Sequence, residues 1–170
     1  MTPSRPLTSA ALISVTAAAT MLLIQACGGG AVAQSANDAD PAEGVWEALI
    51  TVRDCSSGAA ILTARGQQTL HRGGTLTDSN AAPPASRGVG MGVWQRDSAG
   101  SANSAGYTSH FRFMRFNPDG SYAGTQRVTR SFTLSVDGKS QTSTNTSQTL
   151  DAAGAVLQNG CATDLSTRLF

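Results

Sequence analysis

The stretch Tyr107–Gly138, YTSHFRFMRFNPDGSYAGTQRVTRSFTLSVDG, constrains this chain most. Its apolar residues recur mostly at every second position, which places one set of side chains on one face of an extended strand. The pattern breaks at Asn117-Pro118-Asp119-Gly120 and stops at Asp137-Gly138. Proline presets one turn dihedral, Asp bonds its own backbone and Gly accepts a positive φ, so the break reads as a hairpin turn. Two long antiparallel strands are expected, Tyr107–Asn117 and Tyr122–Val136.

Other runs extend the theme: Val45–Arg53, Ala60–Leu70 with Gly66 read as a bulge, Thr75–Asp78 and Val89–Arg96. The glycines around Met91 leave room for close approach of a neighbour. Ser140–Leu150 has the β-propensity of threonine but no apolar face. It is expected to line a hydrated part of the lumen or an opened seam, with Thr144 and Thr146 among its inward methyls. A short run, Ala155–Gln158, leads through a bend at Gly160 into Ala162–Phe170. No segment carries a helical period. Short turns between about eight strands predict an all-β fold: an antiparallel up-and-down barrel first, a β-sandwich second.

Cysteine placement sharpens this. Cys55 follows the first strand-like run and Cys161 precedes the last, an even pair once Cys27 is set aside. A Cys55–Cys161 disulfide makes the first and last strands neighbours and closes the sheet. With the cysteines directly opposite, Ala48 faces Arg168 and Trp46 faces Phe170. A metal site is the rival reading, but no histidine stands at ligand spacing.

The amino terminus reads as an address. Residues 1–26 hold Arg5 and an uncharged apolar run from Ala10 to Ala26, a signal-peptide pattern. Leu23-Ile24-Gln25-Ala26-Cys27 resembles a bacterial lipobox, with Cys27 as the lipidated residue. The alternative is ordinary cleavage after Ala33, at Ala31-Val32-Ala33, giving a soluble secreted protein. Residues 27–43 are small, polar and acidic, a flexible tether, and the barrel domain is expected over 44–170.

Net charge is +1 and charged residues make up 14% of the chain. That balance gives no electrostatic case for nucleic acid, and membrane contact is expected only through the lipid anchor. The two histidines, His71 and His110, form no metal motif; no Gly-x-Ser-x-Gly elbow occurs, and no cofactor is implied. Asp54, Asp78, Asp97, Asp119, Asp137 and Asp151 read as turn residues, while Glu47 and Asp164 lie within strands. Arg112, Arg115 and Arg130 are the candidate ligand-binding residues. Alternation puts Arg130 in phase with Val128, Phe132 and Leu134, Arg112 with Met114 and Phe116, and Arg115 with Phe111 and Phe113. A buried guanidinium needs a partner. Glu47 or Asp164 is one source, and the carboxylate of a small ligand in the barrel is another.

Three stretches, GVWEALITVRDCSSGA (44–59), RGVGMGVWQR (87–96) and FRFMRFNPDGSYAGTQRVTRSF (111–132), with the final CATDLSTRLF, resemble a group of small exported bacterial proteins without an assigned activity. Gly44-Val45-Trp46 with Arg168 is similar to the lipocalin signature, in which an arginine of the last strand covers the tryptophan of the first. The resemblance implies a calycin-like barrel and structural roles for Trp46 and Arg168. The function expected is an exported, lipid-anchored, non-enzymatic envelope barrel binding a small apolar or carboxylate ligand, in the outer membrane or periplasm. A structural or adhesive envelope protein and an isomerase- or cyclase-type barrel enzyme are the alternatives.

Overall fold

Alternating side chains can be half buried only if a sheet has an inside, and a closed barrel supplies one without exposed edges. A computed structural model describes residues 39–97 and 106–170; the segment read as a signal peptide, Cys27 and most of the stretch read as a tether lie outside the described residues. The strands are β1 (Gly44–Arg53), β2 (Ala60–Leu70), β3 (Thr75–Asn80), β4 (Gly90–Arg96), β5 (Gly106–Phe116), β6 (Tyr122–Leu134), β7 (Ser140–Leu150) and β8 (Val156–Arg168). Each pairs antiparallel with the next, and β1 pairs with β8, giving a closed up-and-down barrel consistent with a calycin-like fold.

Register and bulges differ from the expectation in four places. Trp46 lies opposite Arg168, and Arg53 opposite Cys161, two residues from the pairing drawn with the cysteines face to face. The Cys55–Cys161 disulfide is present, with Cα atoms 5.2 Å apart, but Cys55 sits past the end of β1, where the chain turns back. A disulfide requires a Cα separation, not an opposed pair, so it does not dictate register. The slip is even, so the side chains of β1 and β8 keep the faces that the expected pairing gave them. Closing a loop of 106 residues contributes about 4–5 kcal/mol on the chain-entropy model.

Second, Gly66 is no bulge: it pairs in continuous register with Ala48 and Asn80. A Cβ there would stand 3.0 Å from the Ser79 carbonyl oxygen and 3.1 Å from Ile50 Cδ1, so the glycine serves close packing. Third, Gly160 does not bend the chain. β8 runs unbroken through it, opposite Ser147, whose Oγ would lie 2.7 Å from an added Cβ. Fourth, β7 is no seam. It is hydrogen-bonded to β6 and to β8 along its length, and its threonines Thr144 and Thr146 face outward.

The interior is layered. One end is closed by Trp46, Leu70, Leu76, Trp94, Tyr107 and Phe132, packed with Ala42 from the segment before β1. Each such side chain contributes about 1.5–3 kcal/mol by leaving water. Tyr107 and Phe132, opposite across β5 and β6, stack with centroids 4.9 Å apart. The polar tips are all bonded: Trp46 Nε1 to the Ala42 carbonyl, Trp94 Nε1 to the His71 carbonyl, and the Tyr107 hydroxyl to Asp40. Asp40 and Ala42, read as the end of the tether, are thus buried in this floor.

Arg168 plugs the same end. Its guanidinium lies 4.3 Å from the Trp46 ring centroid and donates to the carbonyls of Gly138, Glu43 and Pro41. Gly44, at φ 140°, leaves the space this requires, since a Cβ there would stand 2.5 Å from Arg168 Nη1. The Gly44-x-Trp46 and Arg168 pattern is therefore one packing unit, and the direct opposition of Trp46 and Arg168 replaces the expected diagonal.

Candidate functional site

Above the aromatic floor, the lumen holds a layer of polar side chains, and above that a cavity of about 410 Å³ with apolar walls. The walls include Ile50, Val52, Leu62, Ala64, Phe111, Phe113 and Val128. Alternation places these residues inward on β1, β2, β5 and β6. Toward the mouth the lining passes from the tryptophans, Tyr107 and Phe132 of the floor to Ile50, Val52, Leu62, Ala64 and Val128 with two phenylalanines, and space remains between them. The mouth lies at the end carrying the β1–β2, β3–β4, β5–β6 and β7–β8 connections.

The polar layer contains two arginine–aspartate pairs. Arg130 on β6 is 3% exposed. It donates to both oxygens of Asp164 on β8, at 3.0 and 2.9 Å, and to Gln141 Oε1 at 2.9 Å, with its guanidinium 4.2 Å from the Phe132 ring. Asp164 also accepts from Ser143, Asn145 and Ser166, so five side-chain hydrogen bonds reach it. Burial alone would push the Asp164 carboxyl up. The bonds and charge of Arg130, with Ser143 and Asn145, outweigh burial and hold it at about 2.

The second pair is built from other elements. Asp78 points inward from β3, in phase with Leu76, and Arg87 reaches it through Nη2 from the connection between β3 and β4. Both side chains are buried. Arg87 also stacks on Phe113, 3.8 Å from the ring centroid. Among the described residues, the Asp78 carboxylate takes a side-chain hydrogen bond only from Arg87. Burial raises its pKa, and the opposing pull of Arg87 and Arg130 does not cancel that. Gly90, opposite Asp78, keeps the space clear: a Cβ would stand 3.0 Å from Asp78 Oδ1.

Three donors in this layer, Arg87 Nε, Arg130 Nη1 and Gln141 Nε2, are buried without an acceptor among the described residues. Gln141 Oε1 is occupied by Arg130, which fixes the amide orientation and leaves the NH₂ side open. A buried donor left unpaired costs about 1–3 kcal/mol.

Of the three arginines singled out in sequence, only Arg130 lies in this layer, and its partner is Asp164; Glu47 instead pairs with Arg65 outside the barrel. Arg115 is half-exposed at the mouth end of β5, with a backbone bridge to Arg87. Arg112 faces outward, opposite Arg127, in a groove of about 750 Å³ on the outer wall, beside Met91 and His110. That groove is larger than the lumen cavity but lacks its buried charges. Asp54, Asp119, Asp137 and Asp151 do organise turns, each accepting bonds from nearby Ser side chains or backbone N–H groups. Asp78 does not: it is a buried strand residue, and its alternation with Leu76 was the available signal. Arg87 had no such signal, because it lies in a Pro-rich connection. Among the described residues no group of His, Cys, Asp or Glu has the arrangement of a metal site.

No protein-family model matches this chain, and neither a curated protein nor a solved structure does.

Proposed function

We propose that the protein is an exported barrel, held at a cell envelope through a lipidated Cys27, that binds a small, partly apolar molecule in its lumen without transforming it. The observation that carries this is the cavity of about 410 Å³ whose apolar walls stand over a buried layer of arginines with unpaired donors. Its size and mixture of an apolar lining with a few convergent polar groups are those of small-molecule sites. Both carboxylates of the layer are held by arginines, an arrangement suited to recognition. The Gly44-x-Trp46 and Arg168 plug supports a lipocalin-like reading, and the Cys55–Cys161 disulfide suits an oxidising compartment. The apolar run ending at Cys27 supports export and anchoring, with the outer membrane or periplasm as the destination.

Native mass spectrometry of protein purified without detergent, followed by solvent extraction, tests the binding half. The expected result is a co-purified small molecule, or uptake of an apolar fluorescent probe that Val128→Trp abolishes by filling the lumen. Repeated failure of wild-type protein to carry or take up either would overturn it and leave a structural or adhesive envelope role. For the anchor, Cys27→Ala should remove acyl groups and membrane association. Unchanged acylation would reject Cys27, and a mature N-terminus at Gln34 would identify cleavage after Ala33.

A further inference from the structure

The two arginines share a layer but are held differently. Arg130 is fixed by bonds to Asp164 and Gln141, and Asp164 is saturated by its own neighbours. Arg87 comes from a connection, not a strand. The backbone around it is tied to β5, with Gly88 N donating to the Met114 carbonyl and Phe116 N to the Ser86 carbonyl. Its guanidinium rests on Phe113, grips Asp78 through Nη2, and keeps Nε buried with no acceptor among the described residues. A guanidinium stacked on one face and incompletely bonded along one edge is ready for a planar or tripodal oxoanion.

Charge decides what must accompany such an anion. Facing Asp78 are Arg87 from the connection, Gln68 from β2, Gly90 from β4, Arg130 from β6 and Asp164 from β8. Two guanidinium groups therefore balance two carboxylates. A third anion in this buried layer leaves an excess negative charge, which a low-dielectric site tolerates poorly. One proton from solvent restores the balance. Asp78 is its acceptor, since Asp164 is committed to five hydrogen bonds.

Resting on the lumen-binding reading above, we propose that Arg87 is the head-group anchor of the cavity: it binds one oxoanion, a carboxylate or sulfonate, at the end of an apolar body, while Asp78 takes up one proton. The apolar body then lies against Ile50, Val52, Phe111 and Val128.

Calorimetric titration of the full domain with octyl sulfonate and 1-octanol, at about pH 5 and about pH 8, separates the parts. The sulfonate stays ionised throughout, so any change in its affinity belongs to the protein. Wild type should prefer sulfonate over alcohol by about tenfold or more at the lower pH, with the preference shrinking at the higher one. In Arg87→Gln the ratio should fall to about one at both pH values, and Arg87→Lys should restore part of it. Asp78→Asn should keep the preference and lose its pH dependence. A preference retained in Arg87→Gln overturns the anchor, and a pH dependence retained in Asp78→Asn overturns the proton uptake. Wild type that binds neither compound would instead remove the lumen-binding reading itself.

Discussion

The Arg130–Asp164 and Arg87–Asp78 pairs lie in one layer of one lumen, yet one is a knot and the other a clasp. Asp164 sits on a long central stretch of β8, flanked by Ser143 and Asn145 of β7 and Ser166 of its own strand, and all three donate to it. Asp78 sits on the shortest strand beside Gly90, and its cation arrives from a connection. A carboxylate surrounded by donors on rigid strands is stabilised in its charged form. One with a single donor pays most of the desolvation of burial. The opposite pKa directions of Asp164 and Asp78 follow from that difference.

The largest expected effect that would break this comparison is the loss of Asp164. Asp164→Ala leaves Arg130 buried and unpaired and should destabilise by about 3–5 kcal/mol in urea unfolding. A loss under about 1 kcal/mol would mean the knot is dispensable. Ser143→Ala removes one charge-assisted bond from the same carboxylate and should cost about 1.5–3 kcal/mol. Asp78→Asn should cost less than either, at most about 1 kcal/mol, because burial already disfavours the ionised form and the Asn amide oxygen still accepts from Arg87.

The pH dependence of stability sharpens the contrast. Asp164 has a lowered folded pKa, so its contribution is present above the unfolded value and is lost as pH falls toward about 2. Asp78 has a raised one, so its contribution is present below the unfolded value and is lost as pH rises through the folded value. Asp164→Asn should therefore flatten the acid limb of the stability profile, and Asp78→Asn the decline on its upper side. Identical profiles for the two variants would erase the distinction. The smallest effect is expected outside. Thr144→Val with Thr146→Val alters two exposed outer positions and should change stability by less than about 1 kcal/mol.

β7 illustrates how far the sequence could be read. Its length was legible from threonine propensity and the flanking turns, and Ser140–Leu150 is the strand observed. Its facing was not, because Gln141, Ser143 and Asn145 carry no apolar label to separate them from Thr142, Thr144 and Thr146. The label came from across the barrel, where Arg130 and Asp164 require donors and acceptors. For the same reason Arg130 was legible through its phase with Phe132, while Arg87 was not.

What the chain determined by itself was local: where strands start and stop, which face of each apolar strand turns inward, and that Cys55 and Cys161 can meet. Two-residue periodicity and turn chemistry act over a few neighbours, and an even slip of register leaves them satisfied. Tertiary structure decided the rest. It set Trp46 against Arg168, drew Asp40 and Ala42 into the floor, and laid Arg87 on Phe113 beside Asp78. Those choices rest on which buried charges and donors find partners when the sheet closes, and that sum is taken over strands far apart in sequence.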